Sequence, residues 1–129
     1  MIVVDSTAIV DVLTGAPGAD GLRDRIRHEE LHAPALLDYE VVSALRGLTL
    51  GGAISAGRAE DALTDYADLP IRLWEGADAL RRRAFQLRDN VSAYDAAYIV
   101  LAESLGCPLL TRDARLARAT GHTAEIDLL

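Results

Sequence analysis

A chain of 129 residues, half of them apolar and about a quarter charged, is sized for one soluble domain spanning residues 1–129 with a core of its own. Its single cysteine, Cys107, excludes an internal disulfide and a cysteine-based zinc site. The formal net charge of −7 argues against broad electrostatic capture of nucleic acid. All thirteen basic residues are arginine, so chemistries that need a lysine, such as P-loop nucleotide hydrolysis and Schiff-base catalysis, are excluded. No apolar run approaches the ~18–20 residues of a membrane span. The N-terminus is charged too early for a signal peptide, so a cytoplasmic location is expected.

Ile2-Val3-Val4 reads as a short buried strand. Asp5-Ser6-Thr7 then supplies capping residues for a helix over Ala8–Leu13, ended by Gly15 to Gly18. Ala19–Glu29 is a second helix, and Leu31–Ala33 a second strand. Pro34 suits the first turn of a long helix that Gly51-Gly52 breaks. Ser55 caps a helix to about Ala67, Pro70–Trp74 is a strand, and a helix follows from about Gly76 to Arg88. Ser92 begins the helix Ala93–Leu105, which Gly106 closes. Pro108–Thr111 is a strand, Ala114–Ala119 a short helix, and a weak strand lies near Ala124–Ile126. Alternating strands and helices imply an α/β fold: a mostly parallel sheet of about five strands with helices on both faces. Ligands of such sheets sit beyond the carboxyl ends of the strands, where strand order reverses.

Four acids stand where acids are unwelcome. Leu37, Val41, Ala44, Leu45 and Leu48 form one helix face, and Glu40 lies within it. A lone buried carboxylate costs several kcal/mol unless paired, protonated or metal-bound. Asp5 and Asp113 follow the first and fourth strands, and Asp95 opens an almost wholly apolar helix. Each of these three also has an innocent reading. Asp5 and Asp113 are at helix-capping positions, and Ser92-Ala93-Tyr94-Asp95 matches a capping box. Three such coincidences beside an unexplained Glu40 are less economical than one acidic site. Carboxylates gathered in one place repel each other, and a divalent cation relieves that repulsion. Oxygen-only ligation selects Mg²⁺, with Mn²⁺ as the alternative. A metal-activated water attacking a phosphate ester is the implied chemistry. His28, His32 and His122 lie far in sequence from all four acids and read as surface or satisfied histidines.

With these residues in place, the chain resembles the PIN-domain ribonucleases, most closely the VapC-type toxins of bacterial toxin–antitoxin pairs. The marks are Ile2-Val3-Val4-Asp5-Ser6-Thr7, Tyr39-Glu40-Val41, Ser92-Ala93-Tyr94-Asp95-Ala96-Ala97-Tyr98 and Leu109-Leu110-Thr111-Arg112-Asp113-Ala114-Arg115-Leu116, in this order along essentially the whole chain. The resemblance implies a PIN-like three-layer fold with Asp5 and Asp95 as direct metal ligands. Glu40 would complete the pocket, and Asp113 would act through a water or a second metal. It implies that Thr7 and Thr111 orient the acids through hydrogen bonds. It further implies an RNA substrate cut to a 5′-phosphate and a 3′-hydroxyl, a cognate antitoxin protein and a homodimer. Arg112 and Arg115 flank Asp113 and are candidate holders of RNA phosphates, weighed against a solvated surface role. Arg81, Arg82 and Arg83 read as solvated. Tyr94 and Tyr98 share a helix face and read as core.

A housekeeping PIN nuclease and a non-catalytic PIN scaffold are the alternatives. A phosphoacceptor receiver domain needs a lysine at its site, which this chain lacks. An aspartyl phosphatase needs Asp-x-Asp after the first strand, and position 7 is Thr.

Overall fold

All three residues of the first strand, β1 (Ile2–Val4), are buried, as a strand is when both faces of its sheet are covered. The computed structural model describes all 129 residues. β1 is followed by α1 (Ser6–Thr14), α2 (Asp20–Arg27), β2 (Leu31–Pro34), α3 (Leu37–Leu50), α4 (Ala56–Asp68) and β3 (Ile71–Trp74). Then come α5 (Asp78–Gln86), α6 (Ala93–Leu105), β4 (Leu109–Thr111), α7 (Ala114–Ala117) and β5 (Ile126–Leu128). The strands make one sheet in the order β3-β2-β1-β4-β5, and every neighbouring pair is parallel. This is the expected α/β architecture.

The order fixes where a ligand belongs. From β1 the chain builds outward through β2 to β3, then returns to lay β4 against the other side of β1. Val3 aligns with Leu109 and Val4 with Leu110. The carboxyl ends of β1 and β4 therefore lie side by side at the point of reversal. Asp5 leaves one strand there and Thr111 ends the other.

Two helices hold this arrangement. α6 buries Ala96 and Tyr98 to Ala102 and packs across β1, β2 and β4. α1 buries Ala8, Ile9, Val10, Val12 and Leu13 and packs against β4, α2, α3 and α4. Each large aliphatic side chain so buried contributes roughly 1.5–3 kcal/mol. Gly15 (φ 66°) closes α1 and Gly106 (φ 64°) closes α6 in the left-handed region, where a side chain would be strained. Cys107 is buried among the core residues, as expected.

Four local expectations need correction. Pro34 is the last residue of β2, opposite Trp74, and α3 starts three residues later. Its missing N–H costs nothing there, because the next amide, that of Ala35, donates to the Trp74 carbonyl at 2.8 Å. The last strand runs over Ile126–Leu128 rather than Ala124–Ile126, and Asp127 within it pairs with Arg25 at 2.9 Å. Arg81 and Arg82 are exposed, but Arg83 donates two 3.0 Å hydrogen bonds to the Glu103 carboxylate. That fork holds Glu103 down to about 2. Tyr98 is core, whereas Tyr94, in the first turn of α6, is 69% exposed.

Candidate metal and active site

Asp5 is both a helix cap and a site acid. Its Oδ1 accepts the Ala8 amide at 2.9 Å, which starts α1, and the Thr7 hydroxyl at 2.7 Å. Its Oδ2 accepts the Thr111 hydroxyl across the β1–β4 junction. The side chain is only 3% exposed. Thr111 Oγ1 in turn accepts the Asp113 amide at 3.0 Å, and Thr7 Oγ1 accepts the Arg112 amide at 3.0 Å. The two threonines thus tie the turn after β4 to the acid after β1.

Asp113 also has two duties. Its Oδ1 accepts the Arg115 and Leu116 amides at 2.9 and 3.3 Å, capping α7. Its Oδ2 accepts from Arg115 Nη2 at 3.2 Å. Asp95 shows only half of a capping box. The Ser92 hydroxyl accepts the Asp95 amide at 3.2 Å, but the Asp95 carboxylate does not reach back. Instead its Oδ2 accepts from the same Arg115 Nη2 at 3.0 Å. Glu40 projects from the first turn of α3, half-buried at the rim of the Leu37–Val41–Leu45 face. Its Oε1 accepts the Tyr98 hydroxyl at 2.5 Å.

One path therefore connects all four acids. It runs from Asp5 through Thr111 to Asp113, through Arg115 to Asp95, and along one turn of α6 to Tyr98 and Glu40. Sequence reading placed the acids but took Tyr98 as plain core. The signal was there: Tyr98 follows Asp95 by three residues, so the two share a helix face. None of the histidines joins the site. His28 and His122 bond to backbone carbonyls, and buried His32 lies between Glu30 and Trp74.

Burial pushes the Asp5 carboxyl above the ordinary carboxylate range, and the nearby charge of Asp113 adds to this. Hydrogen bonds from Thr111, Ala8 and Thr7 oppose it. Burial raises Glu40 likewise, the Tyr98 hydrogen bond opposes it, and the charges of Asp95 and Asp5 raise it further. Tyr98 is pushed up by burial first and by Glu40 second. With the folded-state values of Asp5 and Glu40 raised, their contribution to the metal-free fold is present below their ordinary values. It is lost as pH rises through the raised ones. We expect the metal-free protein to lose melting temperature across the window above about pH 4, and a divalent cation to restore it increasingly as pH rises. Thermal melts with and without Mn²⁺ over that range check this; a metal effect that is flat with pH contradicts it.

The donor set fits a hard divalent ion. It is all carboxylate and hydroxyl oxygen, with no imidazole or thiol among it. Glu40 Oε2 and Asp95 Oδ1 accept no hydrogen bond from the protein, and Asp5 uses three of a carboxylate's roughly four acceptor positions. As the side chains stand, however, no three acids converge on one point fit for an ion. Arg115 stands between two of them.

Arg112 does not face this site. Its Nε pairs with Asp11 at 2.8 Å and its Nη2 donates to the Pro17 carbonyl at 3.0 Å. Its Nη1 is the one buried side-chain nitrogen or oxygen without a partner. The side chain fastens α1 to the loop after it, neither freely solvated nor turned toward the four acids. Arg112→Ala is expected to cost about 1–3 kcal/mol, read as a lowered midpoint in urea. A loss of RNA affinity with unchanged stability would restore the phosphate role.

The sheet order places the four acids around a topological switch point, as the resemblance to the PIN-domain ribonucleases leads one to expect. The PIN domain family model matches residues 2–121. Ribonuclease VapC12 of Mycobacterium tuberculosis is 40% identical over 129 residues, covering 100% of this chain and 99% of that protein. The chain belongs to the PIN-domain family and, within it, to the VapC ribonucleases. A crystal structure from Pyrobaculum aerophilum superposes with a TM-score of 0.72 at 25% identity, covering 98% of this chain and 83% of that one. VapBC2 of Rickettsia felis, solved bound to a DNA fragment from its promoter, has the same fold, with a TM-score of 0.68 at 10% identity. It covers 100% of this chain and 99% of that one. No helix is long and apolar enough to cross a membrane.

Proposed function

We propose that this protein is a divalent-metal-dependent endoribonuclease acting as the toxin of a toxin–antitoxin pair. The observation that carries the proposal is the gathering of the four acids near the β1–β4 reversal, with Asp5, Asp113 and Asp95 linked by hydrogen bonds and Glu40 held by Tyr98 one helical turn along α6 from Asp95, in a chain 40% identical to a VapC ribonuclease over its whole length. Asp5 and Asp95 are the main holders of a Mg²⁺ or Mn²⁺ ion, with Glu40 and Asp113 completing the acidic pocket.

The ion, when bound, supplies a water of lowered pKa and charge stabilisation at phosphorus. The residues of the chain supply the rest. Thr7 and Thr111 hold the Asp5 carboxylate in one orientation. Tyr98 holds Oε1 of Glu40 and leaves Oε2 free to accept a proton or a water. The half-buried setting of Glu40 raises its proton affinity and suits it to take a proton from an attacking water.

A cognate antitoxin is proposed to cover the α3–α4 hairpin, where Val42, Leu50 and Leu63 are exposed. Self-association is proposed at an apolar cleft of about 550 Å³ between α5, α6 and the ends of β2 and β3. None of the four acids lines that cleft, and Phe85 beside it is 66% exposed. Sedimentation of the isolated chain reads the dimer directly.

Incubating the protein with pooled cellular RNA and Mg²⁺ or Mn²⁺, with and without EDTA, tests the activity. Discrete fragments that vanish with EDTA are expected. Intact RNA in the presence of folded, metal-loaded protein would favour the scaffold alternative.

A further inference from the structure

Arg115 is the one cation within reach of the acidic site. A single nitrogen, Nη2, lies 3.0 Å from Asp95 Oδ2 and 3.2 Å from Asp113 Oδ2. The two acids come from different elements, one from α6 and one from the turn after β4. Nothing else in the protein neutralises either carboxylate. The acids are largely shielded, with side chains 22% and 25% exposed, whereas the Arg115 side chain is 66% exposed. The guanidinium therefore reaches inward from solvent and can return there at little cost, since exposed ion pairs contribute little. Its backbone amide caps against Asp113 Oδ1, so the start of the side chain stays in place whichever way its end points.

We infer that Arg115 is a built-in counter-ion of the acidic site, holding Asp95 and Asp113 together while no metal is bound, and that a divalent cation must displace it to bind. The inference rests on the metal-site proposal above. The positive charge sits on Asp95, one of the two main holders proposed for the ion, and on Asp113, which completes the pocket. Two cations cannot share that position without strong repulsion. Arg115 thus sets a threshold for metal occupancy and keeps the empty site from being forced apart by its own negative charge. Once displaced, the arginine is left free at the mouth of the site.

Binding of Mn²⁺ to the full chain, measured by calorimetry at low salt, tests this without reference to cleavage. The variants are Arg115→Gln and, as a control for simple loss of one positive charge, Arg118→Gln. Arg118 ends the same short helix and is exposed, with no acid as partner. Arg115→Gln should tighten Mn²⁺ binding by about twofold to fivefold, with Arg118→Gln well below that. Binding by the variant where the wild type shows none would be the extreme form of the same result. Equal affinity in wild type and Arg115→Gln, or an equal gain in both variants, would overturn the counter-ion role while leaving the metal site intact. Weaker binding by Arg115→Gln would also overturn it, since Arg115 would then assist the metal. Absence of Mn²⁺ binding in every folded variant would overturn the metal site itself, and this inference with it.

Discussion

Asp5→Asn is expected to reduce RNA cleavage by about 10³-fold or more and to abolish stabilisation by Mn²⁺, while the metal-free protein melts a few degrees higher. The opposed signs follow from the two duties of the residue. As a helix cap, Asn replaces Asp at little cost, because its carbonyl still accepts the Ala8 amide. The amide nitrogen now faces Thr111, whose hydroxyl can turn from donor to acceptor. What is lost is the charge, and burial makes that charge costly in the empty site. Removing it relieves the fold and, on the proposed function, removes the most buried of the four acids offered to the ion. A gain of about 1 kcal/mol in a domain of this length corresponds to roughly 3–6 °C. Thermal melts with and without Mn²⁺, beside cleavage of the same RNA, separate the effects. Retained cleavage would mean that the reacting centre lies elsewhere. A large drop in melting temperature would mean that the Asp5 network serves the fold before the metal.

The second large effect is expected from Tyr98→Phe. The ring is 2% exposed in the core, and Phe fills the same space. The change removes one hydroxyl, the only hydrogen-bond donor that Glu40 has. Its half-buried carboxylate is then free to rotate and loses the bond that opposes its raised proton affinity. Groups that orient metal-binding residues commonly contribute about 10–100-fold to metal affinity or activity, and a loss of that size is expected here. Stability should fall by only about 1 kcal/mol. The distinguishing sign is the pH profile. Metal affinity in the variant should recover at higher pH than in the wild type, because Glu40 holds its proton longer. Equal affinity and an unmoved profile would leave Tyr98 as core packing alone.

Much of the candidate site was legible because acids are rare where hydrophobic burial dominates. Glu40 betrayed itself by interrupting an apolar helix face, and Asp5 by following a strand buried on both sides. The innocent readings of Asp5 and Asp113 also hold, since both cap helices. Capping and site duty use different oxygens of Asp113 and different hydrogen bonds of Asp5, so the alternatives were never exclusive. Tyr98 escaped because its spacing from Asp95 shows only a shared helix face, whereas the acid its hydroxyl meets, Glu40, lies 58 positions away. Arg112 and Arg115 were indistinguishable for a similar reason. Three residues apart beside one acid, they carry equal charge, yet one turns back to Asp11 and the other forward to Asp95. Pro34 was misplaced because a fixed φ suits the first turn of a helix and the end of a strand equally. The register of the last strand depends on pairing with β4, which local pattern does not encode.

The most direct measurement is anomalous diffraction from a crystal of the full chain grown with Mn²⁺. The expected result is a manganese peak at the carboxyl ends of β1 and β4, within ligand distance of Asp5 and Asp95, with the Arg115 guanidinium withdrawn from between Asp95 and Asp113. A peak on other residues, or none at saturating Mn²⁺ with the four acids arranged as they are now, would contradict a metal-dependent nuclease site at this place.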